Sequence, residues 1–153
     1  MRRVVLALDV QERFQTPQMV VQGIQSLAGK YPLVATLFTH EENDVPFDRL
    51  VKWKGPIEDS LSVQTEHVYN RHGYHLPVEL LALLKENQVD EVYITGGKNE
   101  TFLITAATDL FDIGIKPSMV APLCLTGQFH QMSVLMRMWE QNLGGVYENT
   151  HEL

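Results

Sequence analysis

Residues 91–114, EVYITGGKNETFLITAATDLFDIG, join a short apolar run to a long helical pattern through a pair of glycines. EVYITG (91–96) reads as a strand, and the pattern from 100 to 114 reads as a helix that ends at Gly114, a residue suited to the position just past a helix. That helix is apolar almost all round, so it is expected to pack against a sheet and against something else as well. Asn99 is the candidate N-cap, which puts Phe102 in the first helical turn. A strand that turns into a helix start is a usual place for chemistry. Its free N–H groups and positive helix end favour a thiolate or hold an oxyanion. A phenylalanine can neither attack nor transfer a proton, so on its chemistry alone Phe102 is a packing residue. Gly96-Gly97 could cradle a phosphate, but Glu100 at the helix start would repel an anion.

The same alternation runs outward in both directions. RVVLALD (3–9) is nearly continuous in apolar residues, as expected of a strand buried on both faces. A helix follows from about 17 to 30, with Thr16 as N-cap and Pro17 at its first position. PLVATLFTH (32–40) is the second strand and TEHVYN (65–70) the third. Between them, residues 41–62 are polar, carry Pro46 and Pro56 and keep no sustained period, so they read as an excursion loop with room for a short helix. LPVELLALLKENQ (76–88) is a helix with Leu80, Leu81 and Leu84 on one face. IKPSMVAPLC (115–124) is the last expected strand, with Pro117 and Pro122 confining its regular pairing to the middle. A closing helix over about 127–143 places Phe129, Met132, Leu135, Met136 and Trp139 at helical spacing and stops at Gly144-Gly145. Its methionine-rich face is core, or a dimer interface if exposed. Strands alternating with helices imply parallel βαβ units. The expected fold is α/β: a three-layer α/β/α, doubly wound, mostly parallel sheet in one domain spanning residues 1–153.

At 153 residues, 44% hydrophobic and 20% charged, the composition is that of a globular protein with a substantial core. A net charge of −7 argues against a nucleic-acid partner, because phosphate binding needs clustered Lys and Arg. No window approaches the ~18 apolar residues of a membrane span, and VVLAL near the start is too short for a signal sequence core. The single cysteine, Cys124, excludes an internal disulfide and fits a reducing compartment, so a cytoplasmic location is expected. Cys124 sits in an apolar strand end and reads as a buried small hydrophobe rather than a nucleophile.

Asp9 ends the first strand, and ligands of open α/β sheets bind outside the carboxyl ends of the strands. It is therefore a candidate general base, or alternatively a helix cap or solvated loop acid. His40, His67, His72 and His75 raise the question of a metal, but apart from the close pair His72 and His75 they lack the spacing of zinc ligands. No metal and no cofactor is expected.

Together these segments resemble the isochorismatase-like cysteine hydrolase family, which includes nicotinamidases and other amidases, over nearly the whole chain. VVLALDVQERF is similar to the family's opening strand with its Asp-x-Gln, and places the catalytic aspartate at Asp9. LVATLFTH resembles the second strand, and VYNRHGYH the third, near which the family carries a catalytic lysine. The stretch 91–114 matches the segment bearing the nucleophilic cysteine, with Gly96, Ala107, Asp109 and Gly114 at the family's spacing. In that register the cysteine's position is Phe102, or Thr101 after a one-residue slip. The lysine's position is Arg71, or Asn70 if the loop differs by one. Of the implied triad only Asp9 survives. The family's nicotinamidases also hold a metal after the second strand; HEEND (40–44) offers His40 and acids but not their Asp-x-His pattern.

The resemblance implies catalytic positions at Asp9, Arg71 and Phe102, with Gly97, Lys98, His40 and Tyr74 as candidate binding residues. Without a thiol there is no covalent step, and arginine is a poor proton shuttle. One expectation is a divergent member without cysteine-hydrolase activity that keeps a small-molecule pocket or acts through an oligomeric surface, since family members are often dimers or larger. The alternative is an active hydrolase in which Asp9 activates a water and Arg71 or a histidine of 67–75 stabilises charge. A third gives Asp9 a structural role and places function in a protein–protein surface.

Overall fold

The computed structural model describes residues 1–41, 43, 46–127 and 131–153. Strands β1 (Arg3–Leu8), β2 (Leu33–Phe38), β3 (Val68–Arg71), β4 (Glu91–Gly96), β5 (Lys116–Cys124) and β6 (Val146–Tyr147) form one sheet in the order β3-β2-β1-β4-β5-β6. Every pairing within it is parallel. The helices are α1 (Gln18–Ala28), α2 (Phe47–Val51), α3 (Val78–Glu86), α4 (Glu100–Asp112) and α5 (Gln131–Asn142). The chain winds from β1 outward to β3, then crosses back to β4 beside β1. The crevice at that reversal, between the carboxyl ends of β1 and β4, is where a doubly wound sheet holds its ligands.

Strand alternation divides the core in two. Val4, Leu6 and Leu8 join Leu80, Leu84, Leu103, Leu110 and Trp139 of α3, α4 and α5 on one face. Val5 and Ala7 join Val20, Val21, Ile24 and Leu27 of α1 on the other. The three-layer α/β/α architecture follows directly. Leu103, Ala106 and Leu110 of α4 are fully buried, and each leucine contributes about 1.5–3 kcal/mol of transfer free energy. As expected, α4 packs both on the sheet and on other groups, with Phe102, Leu103, Ala106, Ala107 and Leu110 buried; Phe111, at 51% exposed, is the exception among its apolar residues.

Asn99 caps α4 as expected, its Oδ1 accepting the Phe102 N–H at 3.2 Å. Gly114 follows the helix at φ +82°. Elsewhere the boundaries move. Pro17, not Thr16, is the N-cap of α1, and the Thr16 hydroxyl has no partner among the described residues. The third strand spans 68–71 rather than 65–70, because Thr65 turns its hydroxyl onto the Leu33 carbonyl (2.7 Å) before pairing begins. Arg71 therefore ends a strand instead of lying in a loop. Both prolines are accommodated within β5: Val92 pairs with Pro117, and Pro122 falls in the irregular stretch between the pairs Ile94–Met119 and Gly96–Cys124, where the register shifts. The polar excursion contains α2, and Phe129 lies outside the described residues.

At the amino end of the sheet, Glu91 is 2% exposed. Its carboxylate accepts Ser118 Oγ at 2.6 Å and Tyr147 Oη at 3.3 Å, with Arg3 Nε at 3.1 Å and Lys116 Nζ at 3.3 Å. This network ties β1, β4, β5 and the short β6 together. Among the described residues, no helix is long and apolar enough to cross a membrane.

Candidate functional site at the β1–β4 crevice

Asp9 follows β1 with φ +52°, a left-handed conformation that a non-glycine residue adopts at a cost. Hydrogen bonds hold it there. Its N–H donates to Thr36 Oγ1 (3.1 Å), and the Thr36 hydroxyl donates back to Asp9 Oδ1 (2.7 Å). Arg71 supplies the rest: Nε donates to Asp9 Oδ1 at 3.3 Å and Nη2 to Oδ2, while Nη1 donates to the carbonyls of Gly73 (2.6 Å) and Tyr74 (2.7 Å). Asp9 is 0% and Arg71 2% exposed. Taking two charges out of water is costly, and a fork of paired hydrogen bonds is what makes such a buried pair tolerable.

Phe102 covers this pair. Its ring centroid lies 4.5 Å from the guanidinium carbon of Arg71, within cation–π range. Rings of Phe38 (5.8 Å, stacked), Tyr74 (5.6 Å) and Trp53 (6.2 Å) surround it, and it is 2% exposed. Phe14 and Phe47 extend the cluster through Trp53. The corner itself is shaped by Gly96 (φ +79°) and Gly97 (φ +81°). A Cβ on Gly96 would come within 2.7 Å of the Leu8 carbonyl oxygen, so only glycine lets β4 turn this close to β1. Gln11 fixes the floor: its amide accepts the Phe38 N–H and donates to the Phe38 carbonyl, both at 2.8 Å, and donates to Asp59 as well.

The structure therefore brings Asp9, Arg71, Phe102 and Tyr74 together, with Gly97 beside them. Lys98 lies further out, its Nζ 4.5 Å from the Trp53 ring centroid. It helps line an open groove of about 790 Å³ with Arg13, Phe14, Trp53, Lys54 and Glu58; Asp9, Arg71 and Phe102 do not line this groove. His40 is buried against Pro56 through its backbone, and neither ring nitrogen has a partner among the described residues. His72 faces Thr39 and Glu41, and His75 pairs with Asp109. Among the described residues no three His, Cys, Asp or Glu side chains converge as a metal would require. Glu41, next to His40 in sequence, faces His72 instead, and Glu42 and Asp44 lie outside the described residues. Burial pushes the Cys124 thiol up to about 12, and its Sγ contacts the Ile94 carbonyl at 3.3 Å. It is inert packing.

Thr36, Gln11 and the rest of the aromatic cluster (Phe14, Phe38, Phe47 and Trp53) are site residues that the sequence reading does not single out. Gln11 had a signal, two positions after Asp9. Trp53 had none, because it sits in the excursion without periodicity and is placed by ring contacts from distant segments.

No protein-family model matches the chain, and no curated protein matches it in sequence. Solved structures do match in three dimensions. A pyrazinamidase of Pyrococcus horikoshii in complex with zinc superposes with TM-score 0.77 at 16% identity, covering 97% of this chain and 100% of that one. A nicotinamidase from Bacillus subtilis gives 0.76 at 14%, with the same coverages of 97% and 100%. An isochorismatase-like hydrolase from Alkaliphilus metalliredigens gives 0.74 at 15%, covering 95% of this chain and 94% of that one. The fold of this chain is thus the isochorismatase-like one.

Proposed function

We propose that this chain is an isochorismatase-like protein without cysteine-hydrolase chemistry, whose small-molecule site is the groove outside a filled catalytic corner. One observation carries the reading: the buried ring of Phe102 occupies the first turn of α4 against Arg71, which is itself paired with Asp9. A thiol-dependent route needs a nucleophile there and a carboxylate free to take its proton. Here the nucleophile position is a hydrocarbon ring, and Thr36 and Arg71 engage both oxygens of Asp9. The same engagement weighs against Asp9 as a base for water, since a base must reach the proton it abstracts.

The similar structures include nicotinamidases, so nicotinamide, isochorismate and simple primary amides are the substrates to test. The expected result is no ammonia or acid release above the buffer rate. Turnover that Asp9→Ala abolishes would overturn the proposal. Self-association is part of the same proposal, supported by the exposed Phe111 (51%) and Val134 (68%) on α4 and α5. A purely monomeric mass in sedimentation equilibrium would remove it.

A further inference from the structure

We propose that a cavity at the amino end of the sheet binds a medium-chain aliphatic carboxylate. It lies under the last turn of α3, on the face of β1 and β2 that turns away from α1, and is separate from the groove at the carboxyl end. Its volume is about 480 Å³, within the range of small-molecule pockets. The edge of the sheet explains the space. β3 joins β2 only at Val68, opposite Ala35, so among the described residues no strand flanks the outer side of β2 at its amino end. Val4 and Val34 of the strands, Leu83 and Leu84 of α3 and Val89 beyond it form the wall, with Pro32 at the edge. Leu83 is half-buried yet packs into neither half of the core, which leaves its side chain to a ligand. Apart from the imidazole of His67 no aromatic ring lines the cavity, so the wall suits a flexible alkyl chain rather than a stacked ring.

The polar rim sets the sign of the ligand. Arg2, Arg3 and His67 line the cavity and no carboxylate of the described residues does, on a chain of net charge −7. Arg3 is engaged by Glu91 at 3.1 Å, so the charge open to a ligand is that of Arg2. Arg2 Nη1 donates to the Asn87 carbonyl at 2.6 Å, which anchors the guanidinium past the end of α3, where the helix dipole favours a cation. Asp90 accepts the backbone N–H of Arg2 at 2.6 Å, and among the described residues the guanidinium itself forms no salt bridge. A guanidinium held at one nitrogen keeps further N–H groups in the fixed fork that matches a carboxylate. The carboxylate of the ligand would sit on Arg2, with the His67 imidazole as a further donor, and the alkyl chain would run between Val34 and Leu83. Burial of the chain drives binding, and the anchored cation selects an acid over a neutral amphiphile.

The test uses octanoate and its neutral isostere octanamide, with octanoate kept below the concentration at which it forms micelles. Methyl signals of the valine- and leucine-labelled protein read the cavity, and the indole N–H of Trp53 reads the groove at the other end of the sheet. Octanoate is expected to shift the methyls of Val4, Val34 and Leu83 and to leave Trp53 unmoved. Calorimetry should show affinity rising by about threefold per added methylene from butanoate to octanoate. The acid should bind about tenfold more tightly than the amide. Arg2→Ala, at an exposed position, should remove that advantage and leave the amide unchanged. Affinity independent of chain length, equal binding of acid and amide, a shift at Trp53 alone, or no methyl shift at the highest octanoate concentration would each overturn the assignment. The length series and the amide comparison need only the parent protein, so they decide the matter even if Arg2→Ala folds poorly.

Discussion

The guanidinium of Arg71 lies between the carboxylate of Asp9 and the ring of Phe102, hydrogen-bonded to the one and 4.5 Å from the centroid of the other. The β1, β3 and α4 ends of the crevice thus close on one another through a single side chain. A charge that in an open site would face a ligand here satisfies protein groups only. The arrangement is a packed ionic core, and its energetics are those of a buried pair.

Removing one member of that pair should leave the other charged, buried and unpartnered. Asp9→Asn and Arg71→Met are each expected to lower the free energy of unfolding by about 3–5 kcal/mol. The double variant should cost clearly less than the sum, because neither charge is left stranded. Urea denaturation of the four proteins checks this. Additive costs would mean that the two side chains do not depend on each other.

An acid-sensitive element lies at the amino end of the sheet. Burial pushes Glu91 up, but hydrogen bonds from Ser118, Lys116 and Arg3, with the Lys116 charge, outweigh it and hold the carboxyl below its ordinary range. A depressed folded-state value means that the unfolded chain binds the proton more readily, so this stability is present above the unfolded value and is lost as pH falls through the folded one. Glu91→Gln should therefore be less stable than the parent at neutral pH, and the gap should close with acidification below the ordinary carboxylate range. Thermal melts across pH would show this convergence; a constant gap would mean that the network does not depend on the charge.

Cys124 offers a probe of the same core. With its thiol pushed up to about 12 and its side chain buried, it should resist a disulfide reagent in the folded protein at pH 8. As the only cysteine in the chain, it should react with one equivalent once the protein is unfolded. Rapid modification in native buffer would show that the end of β5 opens.

These behaviours were legible in the sequence to unequal degrees. The turn at Gly96-Gly97, the Asn99 cap and the position of Phe102 follow from local chemistry, because glycine, a capping amide and a helical period each leave a short-range mark. Asp9 was legible as the end of a buried strand. The resemblance puts Asp9 and Arg71 in one site, but their direct hydrogen-bonded pairing leaves no local mark, since the two lie 62 residues apart and the third strand starts later than its β-rich run suggests. The ring cluster was least legible. Trp53 sits within the polar excursion, and contacts with Phe38, Phe47 and Phe102 place it, none of which leaves a periodic trace. β6 is only two residues long, too short for alternation to register.

The sharpest prediction concerns Phe102→Cys, which puts a thiol at the capped start of α4. Loss of a buried ring is expected to cost about 3 kcal/mol, in line with other large-to-small core changes. A helix N-terminus favours a thiolate, so one ingredient of nucleophilic catalysis would be present. The second would still be missing. Thr36 and Arg71 would continue to engage the Asp9 carboxylate, and Arg71 is tied to the Gly73 and Tyr74 carbonyls as well, so it cannot swing away cheaply. The variant is therefore expected to gain a thiol that alkylating reagents reach, against the silent background of Cys124, and to gain no turnover of primary amides. Ammonia release and mass spectrometry on one sample separate the two outcomes. A reactive thiol with amide hydrolysis would mean that the ring alone blocked the chemistry; a reactive thiol without it would place the deeper obstacle in the Asp9–Arg71 pair.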